Sequence, residues 1–237
     1  MLHIFDTTDE VLTALADYFV KAADEAIAAN GRFAVALSGG SSPKKLYELL
    51  ASNAYRQQVD WNKVFFFFGD ERNVPDTDKD SNALMAQKAL FDPLKIAATQ
   101  IFKVNTSLPP ADAAKAYTNA INQFYNNEQA VFDLVLLGLG DNSHTASLFP
   151  HTEILHDTTI GVKAVFLEDQ QIYRISFTAP LINQADKIAF LVYGEGKAEA
   201  VHHVLEDAEN IEEYPAQLIR KDVDWFLDKP AASALTA

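Results

Sequence analysis

The chain has 237 residues, of which 49% are hydrophobic and 22% are charged, so it can bury a globular core; we expect one domain over residues 1–237. It contains no cysteine, which excludes disulfide bonds and thiolate metal sites. The formal net charge of −14 disfavours nucleic acid and anionic membranes as partners. The first residues do not resemble a signal peptide and no apolar run is long enough to span a membrane, so we expect a soluble cytoplasmic protein.

Apolar periodicity predicts helices that alternate with short buried strands along most of the chain. The predicted helices cover residues 9–30, 44–50, 81–90, 110–125 and 194–205. The predicted strands cover residues 33–37, 64–68, 132–137, 173–178 and 187–192. This alternation predicts an α/β fold with a mostly parallel, Rossmann-like sheet that carries helices on both faces.

The most informative motif is GLGDNSHTASLFP at residues 138–150, directly after a predicted strand. Its two glycines would let the backbone turn sharply, and His144 would then lie just beyond the carboxyl end of the strand. Ligands bind at that end in open α/β sheets, and a histidine can transfer protons near neutral pH. The third glycine of a dinucleotide-binding fingerprint is absent, because Ser143 stands in its place.

Two further loops follow predicted strands. In SGGSSP, residues 38–43, paired glycines before a helix could direct backbone N–H groups at an anion, although a plain strand-to-helix turn would use the same residues. In GDER, residues 69–72, Arg72 could bind an oxyanion or phosphate, and the carboxylates could serve sugar hydroxyls or protons. A solvated charged loop is the alternative for the second motif.

Arg174 and Lys197 stand at the ends of predicted elements and, with Arg72, could supply the local positive charge that a phosphate requires. A metal site is not expected. The adjacent His202 and His203 point in different directions on a helix, and no His-x-x-x-His pattern occurs.

Taken together, these segments resemble the 6-phosphogluconolactonase family of lactone hydrolases in the pentose phosphate pathway. The matching pieces keep the family's order, cover about residues 30–200, and include the highly specific string HTASLFP. They are SGGSSP at 38–43, DER at 70–72 with Ser81-Asn82, HTASLFP at 144–150, Arg174 with residues 180–183, and Gly196-Lys197. The resemblance implies a fold related to the sugar-phosphate isomerases, and hydrolysis of 6-phospho-D-glucono-1,5-lactone to 6-phosphogluconate without metal or cofactor.

The resemblance also implies roles by matching position. His144 would be the general base that activates water, with Asn142 beside it, and Arg72 or a backbone N–H could stabilise the oxyanion. The residues implied to bind the phosphorylated lactone are Ser38, Gly39, Gly40, Ser41, Ser42, Asp70, Arg72, Arg174 and Lys197. The oligomeric state, monomer or homodimer, stays open.

One position departs from the family, which usually has Asp-Gly before the histidine where this chain has Asn142-Ser143. An amide can replace the hydrogen bond of a carboxylate but not its charge. We therefore expect a lactonase that is slower unless Asp141 or Glu71 compensates.

Two other functions compete with this one. The related amino-sugar phosphate deaminase/isomerases have an asparagine and a glutamate after the histidine, and residues 145–150 lack both. A sugar-phosphate sensor on the same fold would need a DNA-binding region, for which the chain has neither spare length nor a basic face.

Overall fold

A computed structural model describes residues 1–219 and 222–236. Arg220, Lys221 and Ala237, which the predicted domain includes, lie outside the described residues. The strands are β1 (Leu2–Phe5), β2 (Phe33–Leu37), β3 (Val64–Phe68), β4 (Asp70–Arg72), β5 (Leu134–Leu137), β6 (Val162–Leu167), β7 (Ile172–Phe177), β8 (Ile188–Val192) and β9 (Val223–Asp228). The α-helices are α1 (Thr8–Asn30), α2 (Ser41–Leu50), α3 (Asn82–Ala86), α4 (Asp92–Leu94), α5 (Pro110–Phe124), α6 (Ala179–Asn183) and α7 (Ala198–Leu205).

Six strands form one parallel sheet in the order β1-β9-β8-β5-β2-β3. From β2 the chain first adds β3 on one side and later adds β5 on the other. The carboxyl ends of β2 and β5 therefore flank a topological switch point, where open α/β sheets bind ligands. The three remaining strands form an antiparallel sheet in the order β4-β7-β6.

The central strands are apolar because both faces of the parallel sheet are covered. In β3, Phe66 and Phe68 enter the core cluster beneath α1 and α2, whereas Phe67 enters the cluster on the opposite face beneath α5. Gly69 joins the two sheets, since its N–H donates to Leu37 at 2.9 Å and its carbonyl accepts from the Phe177 N–H at 2.8 Å. The antiparallel sheet is thereby fixed next to the loop that follows β2.

The predicted α/β fold is confirmed, and the five predicted strands are all present. Thr7 caps the start of α1 and Gly31, at φ 73°, caps its end. The sequence did not predict β1, β6 and β9, and it placed the short β4 in a loop. Near residue 87 the predicted helix 81–90 passes from α-helical to π-helical geometry, over Gln87–Phe91. No helix within residues 1–219 and 222–236 is long and apolar enough to cross a membrane.

Candidate active site

A cavity of about 360 Å³ lies at the switch point of the parallel sheet. Every residue that the sequence analysis assigned to the site lines this cavity except Asn142. The assigned residues that line it are Ser38, Gly39, Gly40, Ser41, Ser42, Asp70, Arg72, His144, Arg174 and Lys197. Five separate stretches of sequence therefore meet in one place.

Asn142 lies behind the histidine rather than in the cavity. Its Oδ1 is 2.5 Å from His144 Nδ1. An amide oxygen can only accept a hydrogen bond, so Nδ1 carries the proton and Nε2 carries the lone pair. This tautomer leaves Nε2 able to accept a proton.

The surroundings of His144 favour its neutral form. Removal from water lowers the pKa of His144 to about 4. The charge of Asp70 raises this pKa, whereas the charges of Lys197 and Arg174 lower it. The imidazole therefore stays uncharged down to about pH 4.

The His144 ring is held by close packing. The Phe149 ring stacks on it with centroids 4.0 Å apart and an interplanar angle of 16°. A Cβ on Gly140 would lie 2.0 Å from His144 Nδ1, so only glycine allows this approach. The backbone does turn tightly at Gly140, as expected, since the Ser143 N–H donates to the Gly140 carbonyl at 3.0 Å, but the positive φ angles in this motif belong to Ser143, at 60°, and Ala146, at 47°.

The loop after β2 needs its two glycines for different reasons. Gly40 has a φ of 108°, which favours glycine, and it is the residue before α2. A Cβ on Gly39 would lie 1.8 Å from the Asn82 Oδ1, so this loop packs directly on the buried Asn82 side chain. The first N–H groups of α2, on Ser41 and Ser42, have no acceptor within the helix and can bind an anion.

Two arginines lie opposite each other on neighbouring strands of the antiparallel sheet. Arg72 in β4 is directly opposite Arg174 in β7. Like charges at such a pair of positions are unfavourable, and burial and the charge of Arg72 lower the pKa of Arg174. Arg72 Nη1 donates to the Asp80 carbonyl and Arg174 Nη2 donates to the Gln170 Oε1, both at 2.7 Å. The Nε of each guanidinium is buried and has no acceptor among the described residues. Such an arrangement is suited to an anion.

The two carboxylates of the DER motif do different things. Asp70 accepts from Ser147 Oγ at 2.6 Å and lines the cavity. Glu71 is buried and accepts from the Asn82 and Ala83 N–H groups, so it caps α3 and is not free to serve a substrate. Burial raises the pKa of Glu71 and these hydrogen bonds oppose the rise.

Within the described part of the chain, neither Glu71 nor Asp141, the carboxylates considered as compensation for Asn142, hydrogen-bonds to the His144 ring. Glu71 is occupied by α3, and Asp141 forms a short hydrogen bond through its Oδ1 with Lys197 Nζ. The charge of Asp141 raises the pKa of His144, yet this pKa remains below its usual range. The compensation that the sequence analysis allowed for is therefore limited to this electrostatic effect.

The sequence analysis missed several side chains that support the site. Asn82 and Ser147 are buried and hydrogen-bond to Asp70, and Gln170 orients Arg174. Asn82 and Ser147 lie within motifs that the sequence analysis singled out, but the sequence did not indicate that they hydrogen-bond to Asp70. Gln170 lies in the turn between β6 and β7, and no sequence signal indicated it. Among the described residues no group of three or more potential ligands could hold a metal ion.

The fold and the cavity define an α/β protein whose switch-point crevice combines a neutral histidine with a cluster of cations. A sequence profile described as Glucosamine-6-phosphate isomerases/6-phosphogluconolactonase matches residues 6–227. The chain therefore belongs to this family.

Two curated relatives and two solved structures are similar over most of the chain. The 6-phosphogluconolactonase of Haemophilus influenzae is 40% identical over 205 residues, 85% of this chain and 87% of the relative. That of Synechocystis is 39% identical over 218 residues, 89% of this chain and 88% of the relative. A 6-phosphogluconolactonase structure from Trypanosoma cruzi has a TM-score of 0.86 at 26% identity and covers 100% of this chain and 97% of its own. A monomeric glucosamine-6-phosphate deaminase has a TM-score of 0.85 at 19% identity, with 99% of both chains covered, and shares the fold.

Proposed function

We propose that this chain hydrolyses 6-phospho-D-glucono-1,5-lactone to 6-phosphogluconate, acting as a single domain over residues 1–237. The observation that carries the proposal is the position of a neutral His144 in the same cavity as Arg72, Arg174 and Lys197. A lactone is an activated ester, so a base that deprotonates water is sufficient and no nucleophilic serine is needed. The relatives named 6-phosphogluconolactonase, at about 40% identity, support the same substrate.

In the proposed mechanism, Arg174, Lys197 and the first N–H groups of α2 bind the phosphate. This contact fixes the lactone carbonyl near a water molecule that donates a hydrogen bond to His144 Nε2. Asn142 holds the Nδ1–H and so keeps the correct tautomer, which makes it a positioning residue.

His144 Nε2 removes a proton from this water as its oxygen attacks the carbonyl carbon. The tetrahedral oxyanion that forms requires hydrogen-bond donors, and Arg72 lies in the same cavity. When the intermediate collapses, the bond between the carbonyl carbon and the ring oxygen breaks. The imidazolium returns its proton to that oxygen, which becomes a hydroxyl, and the product is a carboxylic acid that releases its proton to water and becomes a carboxylate.

The test is the rate of lactone hydrolysis by the purified protein, with the spontaneous rate subtracted. We expect clear acceleration with 6-phosphogluconolactone and a kcat/KM lower by about 100-fold or more with glucono-1,5-lactone, because the latter lacks the group that the cations bind. A phosphorylated lactone that is hydrolysed no faster than in buffer would refute the proposal. Release of ammonia from glucosamine 6-phosphate would instead support the deaminase alternative.

A further inference from the structure

Lys197 and Asp141 form an ion pair at the rim of the cavity. Lys197 ends the turn that precedes α7, and Asp141 lies in the loop after β5, so the pair joins two strand-end loops of the parallel sheet. The Asp141 side chain is 80% exposed, whereas that of Lys197 is 29% exposed and lines the cavity. The carboxylate thus reaches the cation from the solvent side.

This pair differs from the contacts of the other two cations. Arg72 and Arg174 donate to neutral oxygens, a backbone carbonyl and the Gln170 amide. Lys197 instead contacts a full negative charge. A lysine ammonium is a compact charge on a flexible stem, so it can exchange one anion for another without moving the backbone.

The backbone around Asp141 places its carboxylate where Lys197 can exchange it for another anion. It lies inside a tight turn in which the Ser143 N–H donates to the Gly140 carbonyl at 3.0 Å and the Gly140 N–H donates to the His144 carbonyl at 2.8 Å. The turn fixes the backbone of Asp141 beside Lys197, so the carboxylate stays within reach of the ammonium.

We propose that Asp141 is an internal competitor that occupies the Lys197 ammonium and gives way to the phosphate of a ligand. The inference rests on the proposed function, because it takes Lys197 as a phosphate contact. Since a carboxylate must be displaced, the site binds phosphate compounds less tightly than its three cations alone would allow. For a product that carries both a phosphate and a new carboxylate, weaker binding favours release.

The opposite role for Asp141 would be to orient Lys197 towards the phosphate. The two roles differ in the sign of one measurement. If Asp141 competes, Asp141→Asn tightens phosphate binding, whereas if Asp141 orients Lys197, the same substitution weakens it.

The test is calorimetric titration of the full-length protein with inorganic phosphate and with 6-phosphogluconate at pH 8, where His144 is neutral. Exposed ion pairs are weak, so we expect Asp141→Asn to lower Kd about two- to five-fold. Asp6→Asn is the matched control because Asp6 pairs with an exposed lysine, Lys229, and does not line the cavity. This control should leave Kd unchanged.

The same substitution in a Lys197→Met variant distinguishes direct competition for Lys197 from a general effect of removing a negative charge. In Lys197→Met, the Asp141→Asn substitution should have no further effect on Kd. An unchanged or raised Kd for Asp141→Asn alone, or an equal tightening in the Lys197→Met background, would overturn the inference. Phosphate binding is measured without turnover, so the result does not depend on whether the lactone is the substrate.

Discussion

The two sheets contribute to the cavity in different ways. The parallel sheet contributes the loops that follow its strands, and these carry the glycines, His144 and Lys197. The antiparallel sheet contributes side chains from the strands themselves, namely Asp70 and Arg72 on β4 and Arg174 on β7. In the mechanism proposed above, the general base His144 stands on the parallel sheet and the phosphate contact Arg174 stands on the antiparallel sheet, so the effects of these two residues on turnover and on binding should be separable by mutation.

The largest effect is expected for His144→Ala. Loss of a general base lowers kcat by about 10²- to 10⁴-fold, while the cations that bind the phosphate remain. The measurement is the initial rate of 6-phosphogluconolactone hydrolysis. His156→Ala is the control, because His156 is exposed, does not line the cavity and should leave the rate unchanged. An unchanged rate in His144→Ala would remove His144 from the mechanism.

The packing of the His144 ring can be disturbed without touching the ring itself. In Gly140→Ala the new methyl group would overlap the imidazole, so the ring must move and kcat should fall by about 100-fold. Gly196→Ala is the matched control, since its Cβ would meet no atom within 4 Å and Gly196 does not line the cavity. Equal kinetic constants for the two variants would contradict the role assigned to Gly140.

The contribution of the antiparallel sheet to substrate binding can be tested with Arg174→Met. Loss of a charged hydrogen-bond donor should raise KM for the phosphorylated lactone by about 10- to 100-fold. The melting temperature of the free protein should not fall, because the substitution also removes the repulsion between Arg72 and Arg174. Arg56→Met, at an exposed arginine that contacts the Pro93 carbonyl, is the control for both measurements. An unchanged KM would show that Arg174 does not hold the substrate.

The smallest effect is expected for Asn142→Asp. The pKa of His144 is about 4, below that of an ordinary histidine, so the neutral base is present above about pH 4. The rate of the wild-type protein should therefore fall only as the pH drops through about 4. A carboxylate next to Nδ1 favours the imidazolium, so Asn142→Asp should move this acid limb upward by about one to three pH units. The rate near pH 8 should rise by about three- to ten-fold, because the base becomes stronger. Superimposable pH profiles would contradict the account of Asn142.

Local patterns were sufficient to predict four of the six parallel strands, β2, β3, β5 and β8, whereas the family resemblance implied the set of residues that line the cavity. Strands such as β2 and β3 are continuously apolar and end at glycine motifs, so the pattern indicated both the strands and the loops that follow them. The edge strand β1 and the mixed-polarity β6 and β9 were missed because they are not continuous apolar runs.

What the sequence did not indicate was pairing between distant residues. The positions of Arg72 and Arg174 opposite each other depend on the register of β4 with β7, which no local pattern specifies. Asn142 was expected in the site, yet its Oδ1 contacts the backbone N–H and the ring Nδ1 of His144, and the residue does not line the cavity. Gly140 was noticed for its freedom to turn, whereas its importance is the space that it leaves for the ring.

The assignment of proton transfer to His144 and of phosphate binding to Arg174 is tested most directly by calorimetric titration of 6-phosphogluconate into wild type, His144→Ala and Arg174→Met. The account predicts that His144→Ala binds within about three-fold of wild type, and that Arg174→Met binds at least about ten-fold more weakly. A loss of affinity in His144→Ala as large as that in Arg174→Met would contradict it.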